Sequence, residues 1–166
     1  MTRIQKIYKN IFDITPEFIS KHNIQGMLVD MDNTLLPWHE TRIADDAKEW
    51  IKSIKDCGVK VCVITNSGIE RTSTVMKDME LDYIHTAFKP FPFSFVKGRK
   101  LLGVNKDNLL VVGDQMVTDG LGSKIIGYNC IIVDPISPKE QKGTHINRFF
   151  ERLLFRRDVR DTYKDE

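Results

Sequence analysis

The chain has 166 residues, with 25 basic and 23 acidic side chains and a formal net charge of +2. This length suits one folded domain with a substantial core, and so small a net charge does not by itself indicate a nucleic-acid partner. Three cysteines argue against a disulfide framework and favour buried thiols in a reducing compartment. No apolar run is long enough to cross a bilayer or to serve as a signal peptide. We therefore expect a cytoplasmic protein.

The first 26 residues are predicted to be a helical lead-in to a single domain that spans residues 1–166. Apolar residues recur there at helical spacing, with basic residues between them, at Ile4, Ile7, Tyr8 and Ile11. A second helix is expected to start at Thr15, which can cap it, with Pro16 in its first turn.

Five short apolar runs follow, rich in Val and Ile and bounded by turn-forming residues. They are residues 27–31, 60–65, 83–87, 108–114 and 130–134. Their composition predicts strands, and their consecutive rather than alternating apolar residues favour a parallel sheet covered on both faces.

Helical periodicity occupies the gaps between these strands, in stretches near 43–54, 69–79, 93–102 and 121–126. The predicted apolar faces include Ile69 in the second stretch, Phe93 and Leu101 in the third and Ile125 in the fourth. Strand and helix alternate from 27 to 135, which predicts a doubly wound α/β core with a five-stranded parallel sheet and helices on both faces.

Residues 136–166 contain a predicted basic amphipathic helix, HINRFFERLLFRRDVR, at positions 145–160. One face is aromatic and aliphatic, and much of the rest is arginine. Such a helix either packs on the core with its arginines in solvent or lies on an anionic bilayer at the inner face of the membrane. Contact with RNA is not expected, because no aromatic platform motif accompanies the basic residues.

Polar side chains follow four of the predicted strands at the point where each ends. They are Asp30, Asp32, Asn33 and Thr34, then Thr65, Asn66 and Ser67, then Lys89, and finally Asp114, Gln115 and Asp119. The carboxyl ends of parallel strands meet at one edge of a sheet, so these residues are expected to converge there.

Phosphoryl transfer is the chemistry that these residue types suit best. A carboxylate such as Asp30 can attack phosphorus and form an aspartyl-phosphate, with Asp32 as the acid and then the base. Repulsion between the two anions calls for a divalent cation, and Mg²⁺ prefers oxygen ligands such as Asp30, Asp114 and the backbone carbonyl of Asp32. A lysine ammonium and a hydroxyl can hold the phosphoryl oxygens.

The segments DMDNT, ITNS, FKP and GDQMVTD occur in the order of the four motifs of the haloacid dehalogenase superfamily, which the chain resembles. The resemblance implies that Asp30 is the nucleophile and Asp32 the acid and base. It implies phosphate binding by Thr65, Asn66 and Lys89, Mg²⁺ binding at Asp114, and a secondary or alternative metal role for Asp119.

The segment KHNIQGMLVDMDNTLLPW shows a narrower resemblance, to the bacterial YqeG-type phosphatases in subfamily IIIA of this superfamily. These proteins are relatives of the mitochondrial phosphatidylglycerophosphate phosphatase. The resemblance implies a phosphorylated substrate with a lipid headgroup. Asn33 stands where many superfamily members have Gly, and Asn tolerates a left-handed turn better than most residues.

The spacing of the motifs leaves no room for a cap domain. Asp32 and Thr65 are 33 residues apart, and Lys89 and Asp114 are 25 apart, so each gap holds a helix and a strand with little more. An uncapped site suits a phosphate displayed on something large.

Other roles remain open for single residues. Asp119 can be a first-turn helix acid, and Lys97 or Lys100 can replace Lys89 as the site's lysine. Two other functions also remain: a phosphatase of nucleotides or sugar phosphates, and a non-catalytic binding protein on the same scaffold. The sequence does not specify the oligomeric state.

Overall fold

The computed structural model describes residues 3–137. Its six strands form one sheet in the order β1-β6-β5-β2-β3-β4, and all neighbouring strands are parallel. The strands are β1 (Gln5–Tyr8), β2 (Gly26–Val29), β3 (Lys60–Ile64), β4 (Asp82–Ile84), β5 (Leu109–Gly113) and β6 (Asn129–Val133). The α-helices of this part of the chain are α1 (Pro16–Lys21), α2 (Asp45–Asp56), α3 (Ile69–Met76), α4 (Phe93–Leu102) and α5 (Leu121–Ile126). The predicted doubly wound, parallel α/β fold is confirmed, with six strands rather than five.

The sixth strand comes from the start of the chain, where the helical prediction is wrong for residues 5–8. Ile4 and Tyr8 are buried, whereas Ile7 is 40% exposed, which is the alternation of a strand and not the face of a helix. Pairing with β6 satisfies an edge that would otherwise be open. Asn129 reinforces this edge, because its side-chain carbonyl accepts from the Ile4 amide at 3.0 Å. The next prediction is confirmed: α1 begins at Pro16, and the Thr15 hydroxyl caps it.

The core has two layers, one on each face of the sheet. Neighbouring residues of a strand point to opposite faces, so Met27 joins the layer that α1, α2 and α3 cover, and Leu28 joins the layer that α4 covers. Phe95 of α4 is fully buried over the second face. The two layers explain why the strands are apolar at consecutive positions.

Four residues assigned to helical core faces are exposed instead, so that part of the prediction is wrong. Phe93 is 61% exposed, Leu101 53%, Ile125 59% and Ile69 48%. Each stands in the first or last turn of its helix, and in α4 the buried Phe95 and Leu102 occupy those same turns on the side that faces the sheet.

The segments between the motifs contain only the expected connections. The chain between β2 and β3 forms a loop and α2, and between β4 and β5 it forms α4 and a short 3₁₀ turn, so neither holds an inserted domain. Cys57, Cys62 and Cys130 are free thiols, and burial raises the pKa of both Cys62 and Cys130 to about 12. Within residues 3–137 no helix has the length and apolar character needed to cross a membrane. The predicted basic helix at 145–160 lies outside the described residues.

Candidate active site

The direction of chain winding reverses between β2 and β5, which are neighbours in the sheet although β3 and β4 intervene in sequence. Such a reversal leaves a crevice at the carboxyl ends of the strands, where open α/β sheets bind ligands. Asp30 directly follows β2, and Asp114 directly follows β5. The Asp30 amide donates to the Val112 carbonyl at 2.8 Å, which fixes Asp30 beside β5.

Lys89 joins two of the carboxylates in a buried ion-pair cluster. Its Nζ lies 2.7 Å from Oδ1 of Asp30 and 2.6 Å from Oδ1 of Asp119, and it also donates to the Ile64 carbonyl at 3.1 Å. The three charged side chains are almost completely buried. All three donors of the ammonium are therefore used, and its position is fixed from three directions. Lys97 and Lys100, the alternative lysines, are exposed on α4.

Absence of a side chain at Gly113 makes room for Asp119. A Cβ at this position would overlap the Asp119 carboxylate. Asp119 also accepts from the Gln115 amide at 3.3 Å, so the turn after β5 holds it from the other side.

The charges in this cluster do not balance. Burial works to lower the pKa of Lys89, but the charges of Asp119 and Asp30 outweigh it and hold this pKa above its ordinary value. Burial raises the pKa of Asp119 to about 6, with the Lys89 charge opposing the rise. Burial, followed by the charges of Asp30 and Asp119, raises the pKa of Asp114 to about 9. One lysine therefore does not neutralise three carboxylates, and further positive charge is favoured there.

The three carboxylates fit a divalent cation. Oxygens of Asp30, Asp114 and Asp119 lie within 4.8 Å of one another. A site of carboxylate oxygens alone suits Mg²⁺ or a similarly hard cation. The Asp32 side chain does not belong to this group.

Thr34, which was expected at this edge but without an assigned role, lies between two of these carboxylates. Its hydroxyl lies 3.3 Å from Oδ2 of Asp30 and 3.5 Å from Oδ1 of Asp114. It is buried four residues after Asp30, in the turn that DMDNT forms. A hydroxyl two residues after Asp32 was the available signal.

Asp32 points away from the lysine cluster to α3. Its Oδ2 accepts from the Ser67 hydroxyl at 2.5 Å, and its Oδ1 accepts from Nε and Nη2 of Arg71 at 3.0 and 2.5 Å. The carboxylate is a quarter exposed, in contrast to the buried Asp30. Two aspartates two residues apart therefore occupy different environments. No motif or periodicity indicated Arg71, which is 39 residues from its partner.

Thr65 and Asn66 follow β3 and form hydrogen bonds with the loops beside it. The Thr65 hydroxyl accepts from the Ser67 amide at 3.1 Å. The Asn66 side chain accepts from the Lys89 amide at 2.7 Å and donates to the Lys89 carbonyl at 3.1 Å. Asn66 thus clamps the backbone that carries Lys89, and contact of either residue with phosphate stays a prediction.

Asn33 adopts the left-handed conformation expected of it, with φ 61°. Its side-chain carbonyl accepts from the Trp38 amide at 3.3 Å, which closes the loop after Asp32. Its Nδ2 is buried without a hydrogen-bond partner.

A parallel, doubly wound α/β sheet with buried carboxylates where the winding reverses is an arrangement that suits a hydrolytic enzyme. The family model described as haloacid dehalogenase-like hydrolase matches residues 36–127, which include Thr65, Lys89, Asp114 and Asp119 but not the first motif. A curated relative, Probable phosphatase YqeG of Bacillus subtilis (strain 168), is 33% identical over 146 residues, which cover 88% of this chain and 85% of the relative. The chain belongs to the haloacid dehalogenase-like hydrolase family and is an enzyme of its phosphatase type.

Solved structures share the fold at lower identity. The structure of CbbY from Rhodobacter sphaeroides in complex with phosphate is 13% identical, with a TM-score of 0.57 over 71% of this chain and 90% of that one. An uncharacterized protein from Listeria monocytogenes serotype 4b is 19% identical, with a TM-score of 0.55 over 71% of this chain and 85% of that one.

Proposed function

We propose that the protein is a Mg²⁺-dependent phosphomonoesterase that forms an aspartyl-phosphate on Asp30, and that its substrate is phosphatidylglycerophosphate. The observation that supports the chemistry best is the placement of Asp30. Its carboxylate is held from one side by Lys89 and from the other by Thr34, at the edge of the sheet where ligands bind. A nucleophile held in one orientation loses little entropy on reaching the transition state.

The reaction has two displacements. An Asp30 oxygen attacks phosphorus, the bond from phosphorus to the ester oxygen breaks, and Asp32 gives its proton to the departing alcohol. Water then attacks the phosphorus of the acyl phosphate, Asp32 takes a proton from that water, and the bond from phosphorus to the Asp30 oxygen breaks. Inorganic phosphate and the free Asp30 carboxylate result. Ser67 and Arg71 orient Asp32 for both proton transfers.

The remaining residues hold charge and position. Lys89 offsets negative charge on Asp30 and on the phosphoryl oxygens, and Thr65 donates to the phosphoryl group. Asn66 keeps Lys89 in place through its backbone. Asp30, Asp114 and the Asp32 carbonyl would hold the Mg²⁺, with Asp119 as a further candidate ligand, and the cation would supply charge that offsets the repulsion between the nucleophile and the phosphate.

Metal binding should be visible without any substrate. At a Mg²⁺ concentration about 100 times the dissociation constant, we expect the melting temperature to rise by roughly 5–10 °C. Asp114→Asn should lose most of this rise, because it removes a ligand charge from the carboxylate cluster. Differential scanning fluorimetry over a Mg²⁺ series measures it. Asp134→Asn is the matched control, since Asp134 also follows a strand at this edge but is exposed. An equal rise in the Asp114 variant would exclude Asp114 as a ligand.

Two observations support the lipid substrate. The motif region resembles the YqeG-type phosphatases, which are relatives of the mitochondrial phosphatidylglycerophosphate phosphatase. The segments between motifs hold no inserted domain, so within residues 3–137 no cap encloses the site.

A phosphate-release screen tests the substrate. Phosphatidylglycerophosphate in vesicles is compared with nucleotides, sugar phosphates and soluble glycerol phosphate, each with Mg²⁺ or with chelator. The expected result is the highest kcat/KM for the lipid and loss of activity in chelator. A higher value for a soluble metabolite would replace the lipid substrate, and absence of hydrolysis across the screen would favour a binding protein.

A further inference from the structure

The exposed apolar side chains of residues 3–137 are concentrated at one edge of the sheet. Most follow the carboxyl end of a strand, as the candidate active site does: Trp38, Ile69, Phe88, Phe91, Phe93 and Ile136. Ile136 is joined to the first motif, because its amide donates to the Asn33 carbonyl at 3.0 Å. Large exposed apolar side chains grouped around a site indicate that something covers them in use.

Three phenylalanines dominate this edge. Phe88 is 63% exposed, Phe91 60% and Phe93 61%, and they surround the backbone of Lys89 and the start of α4. The rings of Phe91 and Phe93 are parallel, with centroids 5.9 Å apart and planes within 3°. We call these three residues the phenylalanine rim. It belongs to the loop that delivers Lys89 to Asp30, so whatever covers the rim also lies against the site.

Within the segment that carries the rim, the exposed charges are positive, whereas Lys89 is buried and paired with Asp30 and Asp119. Residues 86–104, TAFKPFPFSFVKGRKLLGV, contain four basic residues and no acidic one. Lys97 and Lys100 follow Phe93 by four and seven positions on α4, so they share its face of the helix, and both are exposed. Lys97 lies about 6 Å along the helix axis from Phe93. The exposed ring of Phe93 is therefore followed, one helical turn away on the same face, by the ammonium group of Lys97.

This arrangement matches the two regions of a membrane interface, the boundary with the acyl chains and the headgroups. Aromatic side chains partition into the boundary between headgroups and acyl chains, and lysines one turn further out meet anionic headgroups. We propose that the phenylalanine rim docks the open site onto the surface of an anionic lipid bilayer. The inference deepens the proposed function and rests on it for the substrate, but not for the binding itself. A phosphomonoester carried on a lipid would reach Asp30 from the same surface that the rim contacts.

Binding to vesicles tests the proposal without turnover. The full chain is sedimented with vesicles of phosphatidylglycerol and phosphatidylcholine in equal parts, or of phosphatidylcholine alone. The wild type should bind the anionic vesicles more tightly. Changing Phe91→Ser together with Phe93→Ser should lower the partition coefficient on the order of tenfold or more.

A matched pair of substitutions controls for the loss of exposed apolar surface. Leu101→Ser with Ile125→Ser removes two side chains that are exposed to a similar extent, 53% and 59%, at the ends of α4 and α5 away from the site. This control should bind vesicles as the wild type does. Equal losses in both double variants would overturn the proposal, since the effect would then not belong to the rim.

Three other outcomes also contradict the proposal. Failure of the wild type to bind anionic vesicles removes the docking surface. Unchanged binding by the rim variant assigns lipid contact to another segment, such as residues 138–166. A dimer that light scattering detects in the wild type and not in the rim variant, without lipid binding, assigns the rim to a second copy of the chain.

Turnover separates this inference from the proposed function. The rim variant should show a lower ratio of phosphate release from vesicle-borne phosphatidylglycerophosphate to release from soluble p-nitrophenyl phosphate. If both substrates are hydrolysed and the ratio equals that of the wild type, the docking surface fails while the phosphatase stands. If vesicles bind and neither substrate is hydrolysed, the proposed function fails while the docking surface stands.

Discussion

Asp30→Asn should lower phosphate release by at least about 10⁴-fold, because an amide cannot take the place of the attacking carboxylate. The substitution keeps the shape of the side chain, and the Asn oxygen can still accept from Lys89. We therefore expect the circular dichroism spectrum to match the wild type. Release of inorganic phosphate at saturating substrate and Mg²⁺ is the measurement.

Asp134→Asn serves as the comparison for that substitution. Asp134 directly follows β6 as Asp30 follows β2, but it is exposed. It should retain wild-type turnover. Turnover in the Asp30 variant within tenfold of the wild type would remove Asp30 as the nucleophile.

Lys89→Met should damage both stability and catalysis. Removing the ammonium leaves the buried carboxylates of Asp30 and Asp119 without their common partner, which typically costs about 3–5 kcal/mol of folding free energy. Loss of its charge from the phosphoryl site should lower kcat on the order of 10²–10³-fold. Urea denaturation and steady-state kinetics measure the two effects.

Two further variants make the Lys89 result interpretable. Lys77→Met changes an exposed lysine at the end of α3 and should alter neither quantity. Lys89→Met combined with Asp119→Asn should recover part of the lost stability, since it removes one of the two stranded carboxylates, without recovering kcat. Wild-type kinetics in the Lys89 variant would show that another group performs its role.

The positions of Asp30, Lys89 and Asp114 at one edge were predictable because parallel strands place their carboxyl ends together. The consecutive apolar residues predicted a parallel sheet, and the polar residues after the strands predicted the edge at which the site lies. The left-handed turn at Asn33 was predictable for a local reason, the tolerance of Asn for that conformation.

Features that depend on contacts between distant segments were not predictable. Arg71 reaches Asp32 only because α3 starts beside the first motif, and periodicity carries no information on that approach. Ile4, Ile7 and Tyr8 fit helical spacing, but the open edge of β6 made a strand more favourable. Phe93 and Leu101 fit the spacing of a helical face, yet Phe95, Gly98 and Leu102 form the side of α4 that packs on the sheet, which leaves Phe93 in solvent.

Acid-quenched mass spectrometry of the protein during turnover tests the covalent chemistry most directly. The Asp32→Asn variant is the best sample, since it retains Asp30 and lacks the base that assists hydrolysis of the acyl phosphate. After a pulse of p-nitrophenyl phosphate, whose leaving group needs no acid, we predict the added mass of one phosphoryl group on the peptide that contains Asp30. A phosphoryl group on a different residue, or steady product release from the wild type with an unmodified Asp30 peptide in both proteins, would contradict nucleophilic attack by Asp30.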